Sequence, residues 1–541
     1  MTTETPALPL PYSWIADRPS APHWGRIGGQ RRLGVAIPLF SARTGESCGI
    51  GEFPAIERLV DWCGEIGATV LQLLPLNDIG DGTSPYSAWS AFALDPTYIS
   101  LHRLAPRVDD ASWLRRVEET ARELERSPRV DYPRVRAAKL PLLEEAFRRC
   151  QDDLARDPDY LGFLARSPWL DGYAAFRVLK EDHGYASWEV WGAGWVPGDR
   201  VALTQLHQAA RLDFIRFQQF VAAEQLAASR RYAEERGVLL QGDIPILVSR
   251  DSADVWLQPH LFHLDAAAGA PPDMYAADGQ NWGFPTYRWD RLARQDYAWW
   301  RARLRTMEDF CHLYRVDHVV GFFRIWTIPQ GLRDGRQGRF VPEDEGTWEE
   351  HGQRLLEMML GSCRLLPLAE DLGTVPDVCR HTLGYLAIPG LKVARWEKRW
   401  HGDRSFIPPA EFLPMSVATS ATHDSETLAG WWKAFPEERQ QLQRELGLGD
   451  GPAPARLPPA LAERILGDLA RAGSIFTILP IADLLELARD RYLGAEPEED
   501  RINVPGELRP DNWTWRLRRP LEELLADASL NVRLLKLLER G

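Results

Sequence analysis

Eight short strand candidates recur along this chain, at residues 33–40, 69–76, 238–243, 313–318, 365–371, 390–396, 415–424 and 476–481, the first of them an unbroken apolar run. A continuous run of this length reads as a strand buried on both faces, which is the pattern of a parallel sheet. Most of the runs are followed by a stretch with helical spacing. Residues 53–64, for example, put Ile56, Leu59, Val60 and Cys63 on one face. Eight strand–helix units close most simply into a (β/α)8 TIM barrel, an α/β fold. Residues 1–32 are rich in Pro and Gly and read as an extended N-terminal lead-in to a barrel spanning 33–541. The alternation breaks once, between the second and third runs. Residues 77–105 are loop-like, and charged amphipathic helix follows, as in 115–126 and 212–235. The spacing predicts a mostly helical insertion subdomain over 77–235, between strands 2 and 3.

Composition removes several functional classes. A net charge of −13 argues against a nucleic-acid or anionic-membrane partner. No run approaches the ~18 apolar residues of a membrane span. The first residues, Met1-Thr2-Thr3-Glu4-Thr5-Pro6, carry neither a basic nor an apolar leader, so the expected location is the cytoplasm. Six scattered cysteines, none in a Cys-x-x-Cys pair, read as reduced thiols. No His/Cys cluster has metal-ligand spacing, and Gly49-Ile50-Gly51 lacks the third glycine of a nucleotide fingerprint. No metal and no cofactor are expected.

Four of the strand candidates end in an acid: Asp243, Asp317, Glu370 and Asp424. In a barrel of this class the C-terminal ends of the strands carry the active site. Like charges gathered in one pocket raise one another's pKa. Chemistry at a glycosidic bond makes use of that, because it needs one ionised carboxylate and one protonated acid. Along the strand Leu313, Arg315 and Asp317 share a face, so Arg315 should sit beside Asp317 and favour its ionised form. Each acid taken singly also fits a plain structural role, such as a turn cap or a local ion pair; together, at regular strand ends, they point to one site. Aromatics and amides lie near them in sequence, at Ser84-Pro85-Tyr86, Gln280-Asn281-Trp282, Tyr287 and Trp431-Trp432. Aromatic planes with amide hydrogen bonding suit a neutral, polyhydroxylated ligand.

From residue 33 to 517 the chain resembles the 4-α-glucanotransferases of the amylomaltase type, glycoside hydrolase family 77, relatives of the α-amylases. The motifs that carry the likeness are Ser84-Pro85-Tyr86 with Ser90-Ala91-Phe92-Ala93, Asp251-Ser252-Ala253-Asp254-Val255-Trp256, and Pro271-Pro272-Asp273 with Gly279-Gln280 and Trp282-Gly283. Arg315-Val316-Asp317-His318, Glu370-Asp371-Leu372-Gly373, Thr422-His423-Asp424 and Arg501-Ile502-Asn503-Val504-Pro505-Gly506 with Asn512-Trp513 continue it. The resemblance implies Asp317 as nucleophile, Glu370 as acid/base and Asp424 as transition-state stabiliser. It implies Tyr86, Asp243, Gln280, Trp282, Arg315, His318 and His423 as substrate-binding residues, and no metal. The implied substrates are maltodextrins and other α-1,4-glucans derived from starch or glycogen. The chain departs from the family pattern at Val319-Val320, Ser425-Glu426 and Glu507. Two other readings use the same residues. One is an α-glucan hydrolase with water as acceptor; the other is a catalytically silent glucan-binding protein.

Overall fold

The computed structural model describes residues 12–192, 194–198, 208–272 and 277–539. All eight candidates form strands: β1 (Arg32–Ile37), β2 (Val70–Leu73), β3 (Leu239–Ile244), β4 (Leu313–Val316), β5 (Leu366–Ala369), β6 (Gly390–Val393), β7 (Ser416–Thr419) and β8 (Phe476–Pro480). Each pairs in parallel with its neighbours in sequence, and β8 pairs with β1, so the sheet closes into a barrel. The fold is the expected (β/α)8 TIM barrel. Burial on both faces explains why strands such as β1 and β2 read as mostly apolar runs.

The lower half of the barrel is filled by Val70, Leu313, Leu366, Leu368, Val417, Phe476 and Ile478. This apolar layer would face water at the end where the strands begin. The lead-in covers it. The lead-in was expected to be extended, but its described part is helical, at Ser13–Asp17 and at α1 (Ala21–Ile27). Pro22 suits the first turn of α1, and Ile15, Trp24 and Ile27 pack into the barrel floor. The Trp24 indole donates to the Ala387 carbonyl at 3.0 Å. The demand for an apolar cover, invisible in local composition, decides the conformation here. Residues 1–11 of the lead-in lie outside the described residues.

Between β2 and β3 the chain is mostly helical. Ala111–Leu124, Tyr132–Leu154 and Pro158–Arg166 are each N-capped by an aspartate, Asp110, Asp131 and Asp157 respectively. Leu170–Asp182 follows, and then Ala209–Glu235, which packs on the helix Ala55–Glu65 and on β3. That last helix therefore belongs to the ring around the barrel. One feature has no counterpart in the strand pattern of the sequence. The loops after β3 and β4 build a four-stranded antiparallel sheet from Ala266–Ala270, Gln280–Asn281, Ile325–Pro329 and Arg339–Val341. Its strands are too short, and the first is too rich in alanine and glycine, to show alternation.

Replacing Trp24 by Ala should cost about 3–5 kcal/mol, the usual loss for a buried aromatic. Urea unfolding would show it as a lower midpoint, with the strand ends that carry the carboxylates undisturbed because α1 lies at the opposite end of the barrel.

Candidate active site

The pairing of β3 with β4 sets Asp243 directly beside Arg315. The Arg315 side chain is 10% exposed and uses both edges of its guanidinium. Its Nη1 donates to Asp243 at 2.8 and 3.1 Å, and its Nη2 lies 2.9 Å from Asp317 and 3.6 Å from Glu370. The Tyr86 hydroxyl donates to the second oxygen of Asp243 at 3.0 Å. The expected partnership of Arg315 with Asp317 is present, and the structure adds two further acids to it.

Glu370 is aimed by the backbone. After β4 the chain turns sharply at His318, whose φ of 47° lies in the left-handed region that costs a β-carbon-bearing residue about 1–2 kcal/mol. The turn directs the His318 N–H onto Glu370 Oε2 at 2.6 Å, and the Leu372 N–H reaches Oε1 at 3.3 Å. Burial and the Asp317 charge push the Glu370 pKa up to about 8, against the pull of Arg315 and the His318 N–H. Burial, with Asp317 adding to it and Arg315 opposing, carries Asp243 to about 6. Next to Glu370, Asp371 is raised by burial to about 6 and accepts the Leu391 N–H at 2.8 Å, so it ties β5 to β6.

Asp424 stands in a different setting. Its side chain is 44% exposed to the cleft. Enclosure works to raise its pKa, but the His423 ring 3.3 Å away and the Asn503 amide, which donates at 2.7 Å, outweigh that and hold it at about 2. Tyr86 stacks on His423 with ring centroids 5.1 Å apart, and Trp513 packs against both rings. On the opposite flank the Trp282 ring meets His318 edge-on at 5.1 Å, and its indole N–H donates to Gln280 at 3.0 Å.

Tyr86, Asp243, Arg315, Asp317, His318 and Glu370 thus form one connected group. His423 and Asp424 join it through Tyr86, and Gln280 and Trp282 through His318. Trp431 and Trp432 do not join it. They were grouped with the ligand-facing aromatics, but they are 3% and 0% exposed and fill the core, their indoles donating to Glu438 and to the Pro454 carbonyl. Tyr287 is likewise buried, with its hydroxyl on the Ile246 carbonyl. Asp273, part of a family motif, lies outside the described residues. Asn503 and Trp513 were missed as site residues. Both sit in the C-terminal motif noted in the sequence, which was the available signal.

A carboxyl held protonated near neutral pH, a second carboxylate on the same guanidinium and a third kept ionised are the mixed protonation states that chemistry at a glycosidic bond needs. Comparison with known proteins agrees. The profile of glycoside hydrolase family 77, described as 4-alpha-glucanotransferase, matches residues 37–522. The chain belongs to this family. It is 38% identical to the 4-alpha-glucanotransferase of Chlamydia pneumoniae over 95% of this chain and 96% of that one. It is 33% identical to that of Thermus thermophilus, over 84% and 88%. Among solved structures it resembles the amylomaltase of Streptococcus agalactiae, at 25% identity and a TM-score of 0.78, covering 94% of this chain and 98% of that one. The protein is a 4-α-glucanotransferase, an amylomaltase-type transferase acting on α-1,4-glucans, and the hydrolase and silent-binder readings are not favoured.

Asn503→Ala removes a hydrogen bond to a charged group, worth about 1.5–3 kcal/mol. Transfer should fall by roughly tenfold to a hundredfold, with little change in the thermal midpoint. Paired rate and melting measurements on the variant check this.

Proposed function

We propose that this 4-α-glucanotransferase works by a retaining double displacement in which Asp317 is the nucleophile, Glu370 the acid/base and Asp424 the stabiliser of the transition state. The observation that carries the reading is the shared guanidinium. Asp317 and Glu370 both face Arg315 Nη2, so their nearest oxygens are separated by no more than its 2.9 and 3.6 Å contacts together. That upper limit lies at the bottom edge of the roughly 6.5–9.5 Å range of inverting enzymes, and any bend at the shared nitrogen brings the pair toward the ~5–5.5 Å of a retaining one.

Asp317 attacks the anomeric carbon while Glu370 gives its proton to the departing 4-oxygen. The product is a covalent glucosyl–Asp317 ester and a shortened glucan. Glu370, now ionised, takes the proton from the 4-hydroxyl of an incoming glucan. That oxygen displaces Asp317, and two inversions give net retention. Asp424, ionised at any working pH, supports the positive charge that develops at the sugar ring. Tyr86, His423, Gln280, Trp282 and His318 line the cleft and bind the chain, with aromatic faces for the sugar's C–H surfaces. Arg315 and Asp243 fix the two reacting carboxylates. The natural substrates in this reading are maltodextrins from starch or glycogen. Six buried cysteines without a disulfide among them fit a reducing compartment, the cytoplasm. No helix of the described residues is long and apolar enough to cross a membrane.

Two measurements test the reading. With maltotriose alone, the enzyme should release glucose together with longer oligosaccharides. Asp317→Asn and Glu370→Gln should each lose at least ~10³-fold of that activity while remaining folded. A folded single variant that keeps a tenth of the wild-type rate removes its residue from the mechanism.

The second concerns pH. Glu370 must be protonated to act as acid, so kcat/KM should fall on the alkaline side near its pKa of about 8. Asp243 must be ionised to hold Arg315, so the acid limb should fall near about 6. Both apparent values belong to the coupled group. Arg315 lowers the Glu370 pKa, so Arg315→Met should move the alkaline limb to higher pH beneath a reduced maximum. An alkaline limb that stays in place in the folded variant would separate Glu370 from the guanidinium.

A further inference from the structure

Arg303 lies on the helix Ala298–Glu308, outside the barrel, and the proposed mechanism does not use it. Its side chain is 5% exposed, yet its Nη1 finds no hydrogen-bond partner. No carboxylate among the described residues lies within ion-pair distance. Asp254 and Asp243 are its nearest acids by charge, and each is engaged elsewhere. Asp254 accepts the Trp299 indole N–H at 3.0 Å and the Ala91 N–H at 2.8 Å. Asp243 is fully taken by Arg315 and Tyr86. What Arg303 does have is the faces of Trp299 and Trp300, 5.6 and 5.2 Å from its guanidinium carbon. Ring faces attract the cation but leave its N–H groups without acceptors, and a buried charge with no counterion is costly.

The guanidinium borders an internal recess of about 60 Å³ between that helix and the β2–β3 side of the barrel. Among the polar side chains there, Thr306 bonds its own helix, the Asn77 amide donates to the Ala93 carbonyl, and Asp243 is held by Arg315 and Tyr86. The recess adjoins a large outer groove of about 1310 Å³, because Thr306 and Phe310 line both. The groove carries three more arginines without an ion pair among the described residues, Arg166, Arg231 and Arg305, and three acids without one, Asp159, Asp254 and Asp309. Its other acids are occupied: Asp171 with Arg216, Glu224 with Arg107 and Glu308 with Arg364. The unpaired charges of the groove balance, whereas Arg303 in the recess beyond it is a buried cation with no carboxylate at ion-pair distance among the described residues.

We propose that the recess at Arg303 is a binding site for a small inorganic anion, between a halide and phosphate in size, entered from the outer groove. The anion supplies the acceptor that Arg303 lacks, and the recess has room for it with an accompanying water. The site is separate from the glucan cleft. It sits behind Gly242 and Asp243 of β3, so its occupant braces the strand whose end holds Arg315.

The wild-type protein provides the test. Crystals soaked in sodium bromide should give an anomalous peak against Arg303, and Arg303→Met crystals should not. In solution, chloride, bromide or phosphate should raise the thermal midpoint by about 1–3 °C over gluconate at equal ionic strength. The variant should lose this difference. If Arg303→Met fails to fold, the wild-type bromide map and the salt comparison decide by themselves. Bromide only at Arg166, Arg231 or Arg305, or no peak and no anion-specific stabilisation, overturns the proposal and leaves Arg303 satisfied by water.

Discussion

Everything at the mouth of this barrel depends on one buried cation. Three carboxylates, Asp243, Asp317 and Glu370, stand around the Arg315 guanidinium, and without it their mutual repulsion would protonate or separate them. Its planar fork can serve two sides at once, a geometry lysine lacks. One edge is fixed to Asp243 by two hydrogen bonds, which makes the other edge a rigid reference for Asp317 and Glu370. Removing one partner from a buried arrangement of this kind typically costs about 3–5 kcal/mol. Burial then divides the acids by protonation state. Glu370, with its strong desolvation, keeps its proton near neutral pH, while the half-open Asp424 beside His423 does not.

Asp424 owes its position to the far end of the chain. Asn503, which hydrogen-bonds it, and Trp513, which packs on Tyr86 and His423, come from a segment that returns across the barrel mouth. That segment is anchored to the helices between β2 and β3. The Tyr132 hydroxyl donates to the Trp513 carbonyl, and Arg516 pairs with Glu125. The departure from the family pattern at Glu426 is absorbed in the same place. Its carboxylate bridges Arg395, just after β6, and Arg501, just before Asn503. At the other departures, Val319 and Val320 are buried under the His318 turn, and Glu507 is exposed and pairs with Arg509. None of the three replaces a group in the carboxylate cluster.

The strands were legible because a parallel barrel buries both of their faces, which leaves short, mainly apolar segments at regular intervals between helical stretches. The acids were legible because strand ends are the open positions of such a barrel, so a charge there stands out after an apolar run. The register that puts Asp243 against Arg315 was not legible. It depends on how β3 and β4 slide past each other, and no local pattern encodes that. The aromatic residues show the limit most clearly. Tyr86 and Trp282 face the cleft and Trp431 and Trp432 fill the core, although all four follow strands in loops or helices rich in similar residues.

By itself the sequence determined the barrel, its strand count, the acids at its strand ends and, through ordered motifs, the family. These are local properties, carried by periodicity and by neighbours in the chain. Tertiary structure alone decided that one guanidinium serves three carboxylates, that the lead-in folds into a helical floor, and that Asn503 and Trp513 complete a site begun at Tyr86. Those outcomes depend on distances between segments hundreds of residues apart, and on how much water each group loses when the segments meet.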